Sequence, residues 1–197
     1  MRALVPSTPA ENPRVIDLMV APPLRGGQPA ALCSRAMVDP AAMLKGRTRE
    51  TRIRRDDAGR WFDGDDPIRH PLLTRAFDEW LRPAPDGSGR WCLSNDINWA
   101  FVTLEGPPRF VRSVDVSDVI RLALSDGSVV PLDPATLRQG PDGALYCDVP
   151  GAMVARFDRH AAMQLGDLLD EDEEGVFLGI GDARVRPPTV DDPLALG

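Results

Sequence analysis

The sequence predicts an α+β protein made of two small β-rich lobes, each built on a repeated strand-helix-strand motif. Three observations carry that expectation. Between residues 48 and 186, short runs of two-residue alternation outnumber helical stripes. Turn formers are frequent, 20 Pro and 17 Gly in 197 residues, so the elements must be short. A word also recurs. The first half reads strand, Arg69-His70, helix, polar loop, Gly89 and a strand holding Trp91; the second reads strand, Arg159-His160, helix, acidic loop, Gly175 and a strand holding Phe177. The two histidines of the chain thus stand ninety residues apart, each just ahead of a helix. With 43% apolar and 27% charged residues, the composition is that of a chain with a packed core.

The first 47 residues hold seven prolines, Pro6 to Pro40, and no sustained period of 2 or 3.6, which predicts a flexible basic arm. Residues 51–55 and 60–63 flank Asp56-Asp57-Ala58-Gly59, a hairpin whose Gly can take a positive φ. Pro71 suits the first turn of a helix running to residue 82, where Leu73, Ala76, Phe77, Trp80 and Leu81 form one apolar stripe. Residues 90–94 and 97–105 read as strands, the second placing Ile97, Trp99 and Phe101 on one face. Residues 119–124 and 128–132 enclose Ser125-Asp126-Gly127, a further hairpin. Strands follow at 145–149 and 153–157, then a helix over 160–169 with Asp158 as N-cap. A strand pair at 176–180 and 183–186 comes last, and the Pro-rich tail 187–197 should fray. The expected divisions are an arm (1–47), an N-terminal lobe (48–106), a C-terminal lobe (107–186) and the tail.

Charge narrows the function. Residues 1–55 carry ten basic and four acidic side chains and the remainder 13 and 26, for a net charge of −7. That balance argues against a nucleic-acid partner, which normally calls for a basic surplus. Of 23 basic residues only Lys45 is a lysine, a composition bias rather than a phosphate-binding signal. No run approaches the roughly 18 apolar residues of a membrane span. The stretch 15–21 is broken by Asp17 and forms no signal-peptide core, so a cytoplasmic protein is expected. Cys33, Cys92 and Cys147 have no Cys-x-x-Cys or zinc spacing, which fits reduced thiols.

Motif by motif, chemistry is hard to find. Asp170 to Gly175 imitates the start of a calcium loop, but the twelfth position, which needs a bidentate Glu, is Gly181. Gly179-Ile-Gly181 follows a strand like a dinucleotide fingerprint, yet lacks the third Gly and the chain needed for a βαβ unit. There is no phosphate-loop Lys, no Gly-x-Ser-x-Gly and no His-Glu-x-x-His, so no catalytic residue, metal ligand or cofactor is assigned. His70 and His160 fit lobe surfaces best. Three of the four Trp fit a core, whereas Trp61, on a short hairpin, could stack on a base.

Residues 53–69, Ile-Arg-Arg-Asp-Asp-Ala-Gly-Arg-Trp-Phe-Asp-Gly-Asp-Asp-Pro-Ile-Arg, followed by a helix with Leu73 and Phe77, resemble the opening of the bacterial domain-of-unknown-function family numbered 1285, DUF1285. Pro108-Arg-Phe110-Val111, with Val114 and Val116, is similar to a mid-chain strand of that family. Val154-Ala-Arg156-Phe157-Asp-Arg159, the helix after it and Gly175-Val-Phe177 resemble its C-terminal stretch. The likeness spans about residues 48–186; Ser94-Asn95-Asp96-Ile97-Asn98 departs from it. The resemblance implies two lobes with a repeated motif and a C-terminal lobe loosely like a pleckstrin-homology barrel. It also implies a nucleotide-like ligand between the lobes and a part in signalling, without an established activity.

The expectation is therefore a ligand-binding or sensory module whose site lies between the lobes. Phosphate would be held by Arg69 and Arg159, the repeat-equivalent pair, and by Arg156, with Trp61 against a base. One alternative is a protein-interaction adaptor using the basic arm or exposed sheet edges for a partner strand. Another is a hydrolase with paired carboxylates.

Overall fold

The computed structural model describes residues 48–196 except Asp96 and Asp118, and the predicted arm lies outside the described residues. The N-terminal lobe runs β1 (Ile53–Arg55), β2 (Trp61–Asp63), β3 (Asp66–Pro67), α1 (Pro71–Trp80), β4 (Leu81–Pro83), β5 (Trp91–Ser94) and β6 (Trp99–Leu104). In the C-terminal lobe come β7 (Arg109–Asp115), β8 (Arg121–Leu124), β9 (Val129–Pro131), a single 3-10 turn (Pro134–Thr136), β10 (Arg138–Gln139), β11 (Leu145–Val149) and β12 (Met153–Phe157). Helix α2 (Arg159–Gly166) and strands β13 (Leu169–Asp172), β14 (Gly175–Ile180) and β15 (Ala183–Val185) complete it.

These strands fall into five antiparallel meanders of three, and the meanders explain the architecture. Sheet one has the order β3-β2-β1-β6-β5-β4 and sheet two the order β10-β11-β12-β7-β8-β9. In each, two meanders join through one central parallel pair, β1 with β6 (Arg54 opposite Thr103) and β12 with β7 (Arg156 opposite Phe110). Read from its third strand, sheet two repeats sheet one strand for strand. The fifth meander, β13-β14-β15, is a small separate sheet. The fold is two-lobed and β-rich, as predicted.

The repeat is not the one the Arg-His word suggests. Helix α1 joins β3, an edge strand, to β4, whereas α2 follows β12, a central strand, and leads into the separate sheet. Arg69 and Arg159 therefore do not occupy equivalent places. A word of two residues and a helix cannot say which strand precedes it; only the long-range pairing does.

Several boundaries differ for local reasons. Leu81 leaves the helix for extended backbone (φ −69°, ψ 121°) and pairs with Leu93, two residues ahead of Pro83. Helix α2 begins at Arg159, with Asp158 Oδ1 accepting from the Ala161 N–H at 2.9 Å, and stops at Gly166. Leu169 opens β13, so the acidic segment is half strand, turned by Gly175 at φ +109°. Ile97 is exposed because Asn95 Oδ1 accepts from the Asn98 N–H (2.9 Å) and holds a turn there, and the apolar face starts at Trp99. The tail does not fray. Gln139 donates to Pro188 O (2.8 Å) and accepts from the Val190 N–H (2.9 Å), while Arg138 donates to the carbonyls of Pro193 (2.9 Å) and Ala195 (3.1 Å).

Each lobe has its own core. Ile53, Trp61, Phe77, Leu81, Leu93 and Val102 fill the first. Val111, Leu122, Leu137, Cys147, Ala155 and Leu165 lie among the residues of the second. At about 1.5–3 kcal/mol per fully buried large apolar side chain, these clusters dominate the stabilisation. Sheet edges are blunted. β3, β4 and β9 end in Pro67, Pro83 and Pro131, which have no N–H for a further strand, and the tail covers β10.

Candidate functional site

The junction between the lobes, where a ligand cleft was expected, is filled by a buried polar network. Arg55, 1% exposed, projects from the end of β1, donates to Pro108 O (3.1 Å) and lies 3.2 Å from Asp78 Oδ1. That second contact is an ion pair by distance but is not aligned as a hydrogen bond. Asp78, on α1, also accepts from Trp61 Nε1 at 2.9 Å. Arg109 enters from β7, donates to Leu81 O (2.8 Å) and pairs with Asp126 (2.9 Å). Arg112 lies 4.0 Å from Asp78 and 3.8 Å from Asp158, linking the junction to the N-cap of α2.

One glycine sets how closely the lobes meet. A Cβ at Gly59 would come 2.9 Å from the Phe110 ring, while Gly106, at the end of the N-terminal lobe, packs within that lobe, where a Cβ would come 2.7 Å from Asp57 Cα. Gly59 also sits at φ +80°, which its hairpin turn demands.

Electrostatics make this junction expensive. Burial lowers the Arg55 pKa to about 10 against the opposing pull of Asp78, and it lowers that of Arg109 against Asp126. Burial likewise raises Asp78 despite Arg55 and the Trp61 hydrogen bond. Both members of the Arg55–Asp78 pair thus pay more in desolvation than they recover from each other. The network positions the lobes; it leaves its charges engaged with protein groups.

Trp61 is a correction to the expected site. It is 2% exposed, its ring meets Phe77 edge-on at 5.3 Å and its N–H is spent on Asp78, so it offers no face to a base. The two-residue alternation of its hairpin turns it inward beneath α1. Arg69 is exposed at the entrance to α1, without an ion pair among the described residues, and does not line the cavity described below.

Arg156 and Arg159 do come together, inside the C-terminal lobe. A cavity of about 650 Å³ opens between β11–β12, α2 and the small β13–β15 sheet. Arg156, Arg159 and Arg186 contribute its cationic lining, and Ala162, Leu165 and Val176 part of its apolar wall. Arg156 is already tied to Asp142 (2.8 Å) and to Asp57 O (3.3 Å), the second contact reaching across to the N-terminal lobe. Arg186 pairs with Asp172 and with Glu174 (3.4 Å), and the Asp172 carboxyl is held below the usual carboxylate range by the Arg186 hydrogen bond. Arg186 Nε is nonetheless buried with no acceptor. Arg159 makes no hydrogen bond or ion pair among the described residues, at the first position of α2, and is exposed at the cavity.

Sequence reasoning missed Arg186, which lies beyond α2 and the three strands of the small sheet from the Arg156–Arg159 segment, and the whole junction network. Asp78 alone carried a signal, a carboxylate three residues before Leu81 on the margin of the apolar stripe. Among the described residues no group of three His, Cys, Asp or Glu could hold a metal ion.

No protein-family model matches the sequence, and no curated protein matches it. Solved structures do. A DUF1285 family protein from Silicibacter pomeroyi superposes with a TM-score of 0.55 at 19% identity, over 70% of this chain and 80% of that one. A second, from Shewanella baltica, gives 0.43 at 14% identity over 55% and 85%. The structural neighbours are DUF1285 proteins, in agreement with the resemblance in the sequence, and the first likeness is one of fold.

Proposed function

We propose, from the chain's own cavity, that this protein is a binding or sensory module for a small anionic ligand. The site is the cavity of the C-terminal lobe and not the lobe junction. One observation carries this reading. Three arginines line a cavity of about 650 Å³, a size typical of small-molecule sites, and one of them, Arg159, is in no ion pair among the described residues, the carboxylates of the lining, Asp142 and Asp158, being engaged by Arg156 and by Arg112 and the α2 N-cap. A guanidinium fork matches carboxylate or phosphate in a bidentate pair. The contact of Arg156 with Asp57 O gives such a site a route to the other lobe, which suits a sensor. The adaptor alternative, in the form of strand addition, is disfavoured by the prolines and the tail on the edges of the two large sheets.

Thermal unfolding against a panel of nucleotides, cyclic dinucleotides, carboxylates and phosphate monoesters tests the proposal. At 100 times its dissociation constant a ligand stabilises by about 2.7 kcal/mol. For a chain of this size that should raise Tm by roughly 5–10 °C, at roughly 2–4 °C per kcal/mol. The Arg159→Ala variant should unfold at the wild-type temperature without ligand and show a much smaller shift with it. A flat panel, or a shift that Arg159→Ala leaves intact, refutes the site.

A further inference from the structure

We infer that the ligand of this cavity is a single-chain aliphatic anion, with its head at Arg159 and its chain between α2 and the small sheet; the inference rests on the cavity being the binding site. The walls decide the class. In the small sheet Leu169 stands opposite Leu178, and paired residues share a face. Leu178 is buried in the core, but Leu169 is 55% and Val176 60% exposed. On that same face Val176 stands opposite Glu171; beyond the buried Leu178 it presents two aliphatic side chains, Leu169 and Val176, which line the cavity together with Ala162 and Leu165 of α2. No aromatic ring of the lining offers an open face to a base. Phe157 is buried, and Phe177, 7% exposed, already carries the guanidiniums of Arg184 and Arg186 at 5.1 and 5.3 Å from its centroid. Aliphatic walls without a free ring face, beside one guanidinium in no ion pair, fit a flexible hydrocarbon chain ending in carboxylate or phosphate.

The test is calorimetric titration of the full chain with hexanoate, octanoate and decanoate, decyl phosphate, and AMP and GMP, all below micelle-forming concentrations. Affinity should rise about four-fold for each buried methylene. Arg159→Ala should weaken every member of the series by a similar factor. Leu169→Glu and Val176→Glu, at exposed positions that leave the fold intact, should flatten the dependence on chain length. Comparing decanoate with decyl phosphate distinguishes the two head groups. If AMP or GMP binds in an Arg159-dependent way while the alkyl series stays flat, the aliphatic ligand is wrong and the site stands. If the alkyl series binds but ignores both glutamate variants, the chain lies elsewhere and the inference falls. If neither series binds, site and ligand class fall together.

Discussion

Asp78→Ala should be among the most damaging single substitutions in the N-terminal lobe. It strips the counter-charge from Arg55, which is 1% exposed, and the acceptor from Trp61 Nε1. Breaking one side of a buried ion pair costs about 3–5 kcal/mol, against a total stability of about 5–15 kcal/mol. At roughly 2–4 °C per kcal/mol the expected fall in Tm is roughly 6–20 °C. The same reasoning makes a sharper statement about the pair. Arg55→Met removes the charge that Asp78 compensates, so the double variant Arg55→Met/Asp78→Ala should be destabilised by less than the sum of the two singles. The coupling should reach at least about 1.5 kcal/mol, within the range seen for residues in one network. The remaining cost of the double variant is the unpaired indole N–H and the loss of the Arg55 donor to Pro108 O, each worth about 1–3 kcal/mol when buried. Urea unfolding followed by circular dichroism gives all four corners of the cycle. Additivity within about 0.5 kcal/mol would refute the reasoning, because the two side chains would then act independently.

The pH profile and the thiols give two further expectations. Burial works against ionisation of Asp126, but hydrogen bonds from Ser128 and the Arg109 charge hold its carboxyl below the usual carboxylate range. Its folded pKa therefore lies below the unfolded value of about 4, so it stabilises above that pH and the contribution is lost as pH falls through the folded value. Acid titration of Asp126→Asn should show a shallower loss of stability below about pH 4 than the wild type; an unchanged slope would contradict the assignment. Cys92 and Cys147 are buried, and burial pushes the Cys147 thiol up to about 12 and raises that of Cys92. In native protein at pH 8 both should resist iodoacetamide and become labelled only on unfolding, as read by peptide mass spectrometry. Alkylation of native Cys147 at the rate of a free thiol would count against the fold described.

What could be read in the sequence was what local chemistry decides. Gly59 and Gly127 supply the positive φ of their hairpins, Pro71 starts α1 and Asp158 caps α2, each within a few residues of the element it controls. That Arg156 and Arg159 lie close together was legible for a similar reason, since they bracket the end of β12 and the start of α2, and both line the same cavity. What failed depended on distant partners. Trp61 looked like an exposed hairpin residue because Asp78, which takes its N–H, stands on another element 17 residues on. Arg109 sits between Pro108 and Phe110 and has no local reason to be buried; Leu81 O and Asp126 supply that reason from other strands and turns. The Arg69–Arg159 equivalence failed because strand pairing, and not chain order, sets which strand is central.

The central parallel pairs have a consequence for synthesis of the chain. Arg54 must wait for Thr103, 49 residues later, and Phe110 for Arg156, 46 residues later, before either six-stranded sheet exists. At roughly 5–20 residues per second on the ribosome, the first strand of each sheet spends roughly 2–10 s with one side unpaired. A nascent chain halted just short of β6 would present the bare side of β1, with no proline of its own to guard it, to whatever chaperone or neighbouring polypeptide is at hand.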